Sequence, residues 1–158
     1  MNWFAISEWP IAKGVIGLCP IPGRYGAYEN DLVKIAKWRP SIVMSLTETH
    51  ELAKTGASEF QNWIAQNEIA WHHIPIKDFD IPNAEQTEAW RETRTGFANA
   101  LENGARILIH CYGGCGRSGA LATNLLLYMG YENALETLRN KRPCVIETDA
   151  QLDWANKT

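Results

Sequence analysis

The segment from Ala105 to Gly130 constrains the fold of this chain more than any other. It reads ARILIH, then CYGGC, then GRSGALATNLLLYMG. The first part is an unbroken apolar run, which is typical of a strand buried on both faces. The last part is mostly apolar and closes on a glycine, which predicts a buried helix. The chain therefore contains a buried strand, a tight glycine-rich loop and a helix in direct succession.

The rest of the chain alternates between strand and helix patterns. We predict further strands at WFAIS, VIGLC, SIVMSL and IAWHHIPI. We predict further helices at YENDLVKIAKWRP (stopped by Pro40), SEFQNWIAQN (with Ser58 as N-cap), AEQTEAWRETRTGFANALENG (closed by Gly104), ENALETLRNKRP (stopped by Pro143) and DAQLDWANK. TETHELAKTGA is interpreted as a loop or short helical turn. After a hairpin-like start, this alternation predicts an α/β fold with a mostly parallel central sheet. We expect residues 1–158 to form a single domain, since the length suits one core.

Composition limits the partners. The net charge of −3 argues against general affinity for nucleic acid or for an anionic membrane surface. No apolar run is long enough to span a bilayer, and the first residues do not resemble a signal peptide. We therefore expect a cytoplasmic protein whose four cysteines, Cys19, Cys111, Cys115 and Cys144, are reduced thiols rather than a disulfide framework. The sequence does not indicate an oligomeric state.

The loop after the buried strand has the residues needed to hold a phosphate group. A helix N-terminus presents unpaired amides, and glycines allow successive amides to point inward around an oxyanion. We expect the segment Tyr112, Gly113, Gly114, Cys115, Gly116 and Arg117 to bind phosphate, with the planar guanidinium of Arg117 meeting two oxygens. The same positive field stabilises a thiolate at Cys111. The C-x5-R spacing therefore indicates covalent phosphoryl transfer through a cysteinyl-phosphate.

HCYGGCGRSG resembles the H-C-x5-R-[ST] signature of the cysteine-dependent protein tyrosine phosphatases. Within that superfamily the chain resembles the dual-specificity group, and most of all the kinase-associated (cyclin-dependent kinase inhibitor 3) type. GLCPIPG, HHIPIKDFDIP and RPCVIETDAQ fit that type in the same order along the chain. The resemblance implies a phosphatase-like fold with a four- to five-stranded sheet between helices. It also implies hydrolysis of phosphotyrosine, and of phosphoserine or phosphothreonine, with no metal or organic cofactor.

The resemblance also suggests roles for individual residues. Ser118 would assist the thiolate as a leaving group, and His110 would hold the loop and tune the thiolate rather than act as a base. The family places its general acid in a loop between a strand and a proline, and IPIK matches the stretch before it, which selects Asp78 over Asp80. Gln151 would position the hydrolytic water, with an exposed helical glutamine as the alternative. The adjacent His72 and His73 are expected to have packing roles.

Cys115 lies inside the loop and has several possible roles. A metal site with His110 and Cys111 conflicts with the resemblance, because a metal would quench the thiolate. A second possibility is redox protection, in which oxidised Cys111 is captured by Cys115 or by Cys144. The simplest interpretation is a small side chain that fills the underside of the loop. Cys144 itself stands where the family commonly has glycine.

The sequence is less informative about the substrate. Phosphatases of inositol lipids have lysines inside this loop, and YGGCG has none, which favours a phosphorylated protein. Arg24 and Tyr25 are candidates to line a shallow pocket. The alternatives are a phospho-binding module without turnover, and another cysteine-loop enzyme such as a sulfurtransferase or an arsenate reductase. A Walker-type nucleotide loop is excluded, because no lysine follows the glycines.

Overall fold

A computed structural model describes residues 3–157. It contains five strands: β1 (Ser7–Ile11), β2 (Gly14–Cys19), β3 (Ile42–Ser45), β4 (Ala70–His73) and β5 (Arg106–His110). The helices are α1 (Tyr28–Trp38), α2 (Thr49–Lys54), α3 (Phe60–Gln66), α4 (Ala84–Glu102), α5 (Gly116–Tyr128), α6 (Ala134–Lys141) and α7 (Asp149–Lys157). Apart from the first strand, the predicted elements are present, and TETHELAKTGA contains the short helix α2.

The strands form one sheet in the order β1-β2-β5-β3-β4. Only the β1–β2 pairing is antiparallel, and β2, β5, β3 and β4 run parallel. His110, at the end of β5, is in register with Cys19 on β2 and with Ser45 on β3. The carboxyl ends of three neighbouring strands therefore meet around His110, and such an edge is where open α/β sheets bind ligands.

Helices cover both faces of the sheet. On one side Trp90 and Phe97 of α4 and Leu125 of α5 join a core cluster with Ile107 and Ile109. On the other side, buried residues of α1 and α3 pack against Val43 and Leu108: Leu32, Ile35, Trp38, Phe60 and Ile64. Because β5 is covered on both faces, its unbroken apolar sequence is explained. The prediction of an α/β fold with a mostly parallel sheet is confirmed.

Two local predictions are wrong. The first strand is not WFAIS: residues 3–6 lie outside any strand, and β1 begins at Ser7. Pairing with β2 decides this register, because it buries Trp9 and Ile11 in the core. Ser58 is not the cap of α3, whose N-cap is Glu59 with no side-chain hydrogen bond.

Within residues 3–157, no helix is both long enough and apolar enough to cross a membrane.

Candidate active site

The cysteine loop, residues 111–117, connects β5 to α5 at the carboxyl edge of the sheet. The carbonyl groups of residues 112–115 all accept hydrogen bonds from donors outside the loop. Ile21 N donates to Tyr112 O, Arg142 donates to the carbonyls of Gly113 and Gly114, and Ile146 N donates to Cys115 O. In a trans peptide the next N–H points away from the carbonyl. The amides of residues 113–116 are therefore directed to the opposite side, and such a nest fits a tetrahedral oxyanion.

Arg142, just after α6, anchors this loop from behind. Its Nε donates to Gly114 O at 2.7 Å and its Nη2 to Gly113 O at 3.1 Å. Its Nη1 reaches Ser7 Oγ at 3.0 Å and also Ala5 O and Leu18 O. One guanidinium thus joins the cysteine loop to the first two strands. Burial lowers the pKa of Arg142, although its ordinary pKa is so high that it remains charged at neutral pH.

Gly114 is a glycine for two separate reasons. Its φ of +71° is in the left-handed region, which side chains disfavour. A Cβ at this position would lie 2.5 Å from the carbonyl carbon of Cys19, which is backbone at the end of β2 and cannot swing aside. The close contact keeps the loop tight against the sheet edge.

The sulfur of Cys111 is buried, and it lies 3.2 Å from the hydroxyl oxygen of Ser118 in the first turn of α5. The α5 N-terminus adds its positive dipole end to the same place. A hydroxyl at this distance can donate a hydrogen bond to a thiolate. The two residues that the sequence singled out as nucleophile and leaving-group assistant are therefore in direct contact.

His110 belongs to a buried hydrogen-bond chain. Trp71 Nε1 donates to Ser45 Oγ at 2.9 Å, and Ser45 Oγ lies 2.6 Å from His110 Nε2. His110 Nδ1 faces Cys111 O at 3.3 Å, and because a carbonyl only accepts, the proton is assigned to Nδ1. The Ser45 hydroxyl then donates to Nε2. Burial lowers the pKa of His110 to about 4, so the ring is neutral at pH 7 and orients the loop.

Arg117 is almost completely buried, at 1% exposure, and its guanidinium is held in a fixed orientation. Its two terminal nitrogens donate to the carboxylate of Glu51 at 2.9 and 2.8 Å, and Nη1 also donates to Ile76 O at 2.7 Å. Burial alone would lower the pKa of Arg117, but the hydrogen bonds and charge of Glu51 outweigh it and raise the pKa. Its Nε is buried without a hydrogen-bond partner among the described residues. A phosphate oxygen would satisfy that donor.

Glu51 is the partner that fixes this orientation. Burial alone would raise its pKa, but the hydrogen bonds from Arg117 and from the backbone of Glu48 outweigh that effect, so the pKa lies below the ordinary value. Glu51 therefore stays ionised at neutral pH. The sequence does not mark this residue, because a glutamate in TETHELAK is typical of an ordinary surface position.

Asp78 and Asp80 have different surroundings. Asp78 Oδ1 lies 3.0 Å from Arg117 Nη2, and the Asp78 side chain is 43% exposed. Asp80 Oδ1 instead accepts a hydrogen bond from the neighbouring backbone N–H of Ile81, and its own carbonyl accepts one from Gln151 Nε2 at 3.3 Å. Between them Phe79 has a φ of +64°. The two carboxylates are therefore not interchangeable, and of the two only Asp78 contacts Arg117.

Gln151 lies at the start of α7 and is fully buried, so its interpretation as an exposed helical glutamine is wrong. Its Oε1 accepts from Glu147 N at 2.9 Å and from Thr148 N at 3.2 Å. A Cβ on Gly116 would lie 2.9 Å from both amide atoms of Gln151, which places this amide directly against the cysteine loop.

His72 and His73 contact other groups: His72 packs on Phe97, and His73 bonds to Thr47 O.

The expectation that all four cysteines are reduced is wrong for two of them. Cys115 and Cys144 form a disulfide with a Cα–Cα distance of 5.2 Å, while Cys19 and Cys111 are free. Cys115 is thus neither a filler under the loop nor a metal ligand. The reason is tertiary: the segment before α7 packs across the start of α5, where Ile146 N bonds to Cys115 O. A separation of 29 residues hides this proximity from sequence patterns.

An open cavity of about 300 Å³ adjoins the cysteine loop and is lined by Glu48, His50, Glu51, Lys54, Lys77, Asp78 and Tyr112. Glu48, His50 and Glu51 are also the residues within 3–157 whose ligand atoms come close enough for a metal ion, within 4.8 Å of one another. Both carboxylate oxygens of Glu51 are bonded to Arg117, and Glu48 pairs with His50. These commitments leave the trio ill suited to a metal.

Comparison with known proteins agrees with this geometry. The profile of the family described as cyclin-dependent kinase inhibitor 3 (CDKN3) matches residues 1–137. Cyclin-dependent kinase inhibitor 3 of Rattus norvegicus is 30% identical over 167 residues, which cover 99% of this chain and 77% of the relative. The Homo sapiens protein is 30% identical over 168 residues, with the same coverage.

Among solved structures, kinase-associated phosphatase with its catalytic-site cysteine replaced by serine superposes with a TM-score of 0.84 and 26% identity, covering 98% of this chain and 93% of that chain. The active form of Tk-PTP superposes with a TM-score of 0.74 and 26% identity, covering 97% of this chain and 95% of that chain. Fold and site together define a cysteine-dependent protein phosphatase of the dual-specificity class. Within that class, the chain belongs to the cyclin-dependent kinase inhibitor 3 family.

Proposed function

We propose that this protein hydrolyses phosphomonoesters of phosphorylated proteins through a covalent intermediate on Cys111. The thiolate attacks phosphorus and forms an S–P bond while the P–O bond to the leaving group breaks. The amides of residues 113–116 and Arg117 bind the phosphate oxygens, including the negative charge that they carry in the transition state. The observation that carries this proposal is the convergence of a buried sulfur, a Ser118 hydroxyl at 3.2 Å and a buried arginine fixed by Glu51.

Asp78 is proposed as the general acid. Its Oδ1 lies 3.0 Å from Arg117 Nη2, next to the place where the phosphate would bind. To act, the protonated carboxyl delivers its proton to the leaving oxygen, so the alkoxide or phenoxide departs as a neutral alcohol. Its partial exposure and its place on a surface loop give it room for that movement. Asp80, which faces its own backbone, remains the alternative.

The second step reverses these roles. Water attacks the phosphoenzyme, Asp78 accepts a proton from that water, and the S–P bond breaks to release inorganic phosphate and the thiolate. Ser118 stabilises the departing thiolate by hydrogen bonding. Gln151 is proposed to place the water, because its amide lies against Gly116 and bridges to the backbone of Asp80. Each of these roles rests on position in the site and on the family pattern.

A phosphoprotein is the proposed substrate class, with phosphotyrosine as well as phosphoserine and phosphothreonine accepted. Relatives carry the name cyclin-dependent kinase inhibitor 3, which ties them to a protein target. The exposure of Asp78 and the open cavity support a site shallow enough for short side chains. A cytoplasmic location and a single domain over 1–158 stay predictions from the sequence, and the Cys115–Cys144 disulfide does not fit the reduced cysteines assumed for that location.

Hydrolysis of p-nitrophenyl phosphate without added metal tests the proposal. Wild type should turn over, Cys111→Ser should be inactive, and Asp78→Asn should be slower than the matched Asp80→Asn. Since this substrate has a good leaving group, a phosphopeptide is the sharper probe of the acid. A wild-type protein that binds vanadate but hydrolyses neither substrate would be a phospho-binding module instead.

A further inference from the structure

We propose that Arg24, Lys54 and Lys77 form a second anion-binding subsite beside the cysteine loop. Its ligand is a carboxylate or a second phosphate that a protein substrate carries within a residue or two of the scissile phosphoester. The inference rests on the proposed phosphatase function and adds a substrate preference to it. It predicts that acidic neighbours make a phosphorylated residue a better substrate.

The ring of Tyr112, the residue after the nucleophile, is contacted by two cations. Arg24 Cζ lies 4.7 Å from the ring centroid and Lys54 Nζ lies 5.6 Å from it. Arg24 belongs to the turn after β2, and Lys54 is the last residue of α2. Cation–π contacts of this kind hold a charged group in place without neutralising it. Both charges are therefore held next to the loop and remain available to an anion.

Arg24 also lies over the backbone of the cysteine loop. A Cβ built on Gly113 would approach Arg24 Nη1 to 2.7 Å, and the same nitrogen reaches Tyr112 O at 3.5 Å. A hydrogen bond from Gly23 N to Asp31 Oδ2, at 2.8 Å, also holds the turn that carries Arg24. Contacts with the cysteine loop and with its own turn therefore hold Arg24 beside the site.

Lys77 is the third cation of the subsite. It precedes Asp78 and lines the same cavity of about 300 Å³ as Lys54 and Tyr112. That cavity also includes Asp78 and Glu51, which both contact Arg117. A substrate chain leaving the phosphate position through this cavity would pass a lining that contains both lysines.

Around the cavity, the carboxylates have partners, whereas three of the cations have no carboxylate partner among the described residues. The carboxylates of Glu51 and Asp78 both pair with Arg117, and the carboxylate of Glu48 hydrogen-bonds with His50. In the part of the chain that the structure describes, none of Arg24, Lys54 and Lys77 is within salt-bridge distance of a carboxylate. Lys54 and Lys77 thus line the cavity, and Arg24 lies beside it against the Tyr112 ring, although the chain as a whole has a net charge of −3. Such clustering of cations attracts anions.

The test compares two phosphotyrosine peptides that differ only in having Glu or Gln at the positions flanking the phosphotyrosine. Each exposed ion pair changes a binding constant by up to about fivefold. Wild type should therefore favour the Glu peptide by about tenfold in kcat/KM at low salt, mainly through KM. The Arg24→Gln/Lys54→Gln double variant should bring this ratio below about twofold, as should raising the ionic strength. Lys13→Gln, at the β1–β2 turn on the opposite edge of the sheet, removes one positive charge and should keep the ratio.

A wild-type ratio near one, or a double variant with an unchanged ratio, overturns the subsite while leaving the phosphatase function intact. If wild type hydrolyses neither peptide nor p-nitrophenyl phosphate, the proposed function fails instead. The subsite is then decided by fluorescence anisotropy with Cys111→Ser, which must bind the Glu peptide more tightly. Faster turnover of a phosphatidylinositol phosphate in phosphatidylcholine vesicles than of the Glu peptide would also overturn it, since the anion would then belong to a lipid.

Discussion

The cysteine loop and the acid loop, residues 77–82, face the same site but are built in opposite ways. The cysteine loop is buried or half-buried, its carbonyls are engaged, and Arg142 and the Cys115–Cys144 disulfide hold it from outside. In the acid loop, Lys77, Asp78, Phe79 and Asp80 are all exposed. Two side-chain contacts connect it to the site: the ion pair of Asp78 with Arg117, and the hydrogen bond from Gln151 Nε2 to Asp80 O.

This difference matches the roles proposed for the two loops. Oxyanion stabilisation requires donors that are already in place, because reorganisation during the reaction would cost part of the rate. Proton delivery requires a carboxyl that approaches the leaving oxygen of a bound substrate, and a surface loop allows that movement. We expect substitutions in the buried loop to change both stability and activity, and substitutions in the acid loop to change activity alone.

Arg117→Lys should have the largest effect. Lysine cannot reproduce the two-pronged contact with Glu51 or the additional Nε donor. We expect kcat/KM to fall by about 10³-fold, measured with p-nitrophenyl phosphate and a phosphopeptide. The control is Arg91→Lys, an exposed arginine paired with Glu88 on α4, which should stay close to wild type. Near-normal activity in Arg117→Lys would mean that the phosphate binds elsewhere.

Removing the disulfide should be next in size. A cross-link between residues 29 positions apart restricts the unfolded chain, and its loss should cost about 3 kcal/mol. Urea unfolding of Cys115→Ser/Cys144→Ser, compared with wild type with and without dithiothreitol, measures this cost. Reduced wild type should match the double variant. A reductant that leaves wild-type stability unchanged would show that the bond contributes nothing to the folded loop.

Asp78→Asn should reduce kcat by about 10²-fold for a phosphoserine peptide, whose leaving group is poor, and by less for p-nitrophenyl phosphate. Asp80→Asn, two positions away in the same loop, should remain within about twofold on both substrates, because its carboxylate serves its own backbone. Thermal unfolding should be similar in the two variants. A reversed order of activity would assign the acid to Asp80.

The smallest predicted effect is a pH dependence of stability that comes from His110. Its pKa of about 4 lies below the unfolded value, so the unfolded chain binds a proton more readily. Stability from this residue is complete above about pH 6.5 and declines as the pH falls toward 4. Between pH 7 and pH 5 the loss should be about 2 kcal/mol. His110→Gln should remove that part of the decline in urea unfolding, and an unchanged decline would show that the ring is not held neutral.

The sequence predicted most of the fold and the centre of the site, because both depend on local patterns. Strand and helix periodicity located β5 and α5, and the C-x5-R spacing brought Cys111, Arg117 and Ser118 together. What it missed comes from distant segments. Glu51, Arg142 and Ser45 reach the loop through tertiary packing. Nothing in the neighbourhoods of Glu51 and Ser45 marks them, and RPCVIETDAQ, which begins with Arg142, does not reveal that this arginine contacts the loop.

The errors have the same origin. Cys144 meets Cys115 only because the segment before α7 folds across the start of α5. The first strand begins at Ser7 because pairing with β2 sets its register, which the apolar run before it does not reveal. Local patterns thus describe the elements, and the contacts between them require the folded chain.

The central claim is a covalent bond between phosphorus and Cys111, and trapping it is the most direct measurement. Ser118→Ala should slow breakdown of the phosphoenzyme, since the departing thiolate loses its hydroxyl neighbour at 3.2 Å. Rapid acid quench during turnover of a phosphopeptide, followed by mass spectrometry, should find one phosphoryl group on the peptide that contains Cys111. Sustained turnover with no phosphoryl group on Cys111 at any quench time, in wild type and in Ser118→Ala alike, would contradict the account.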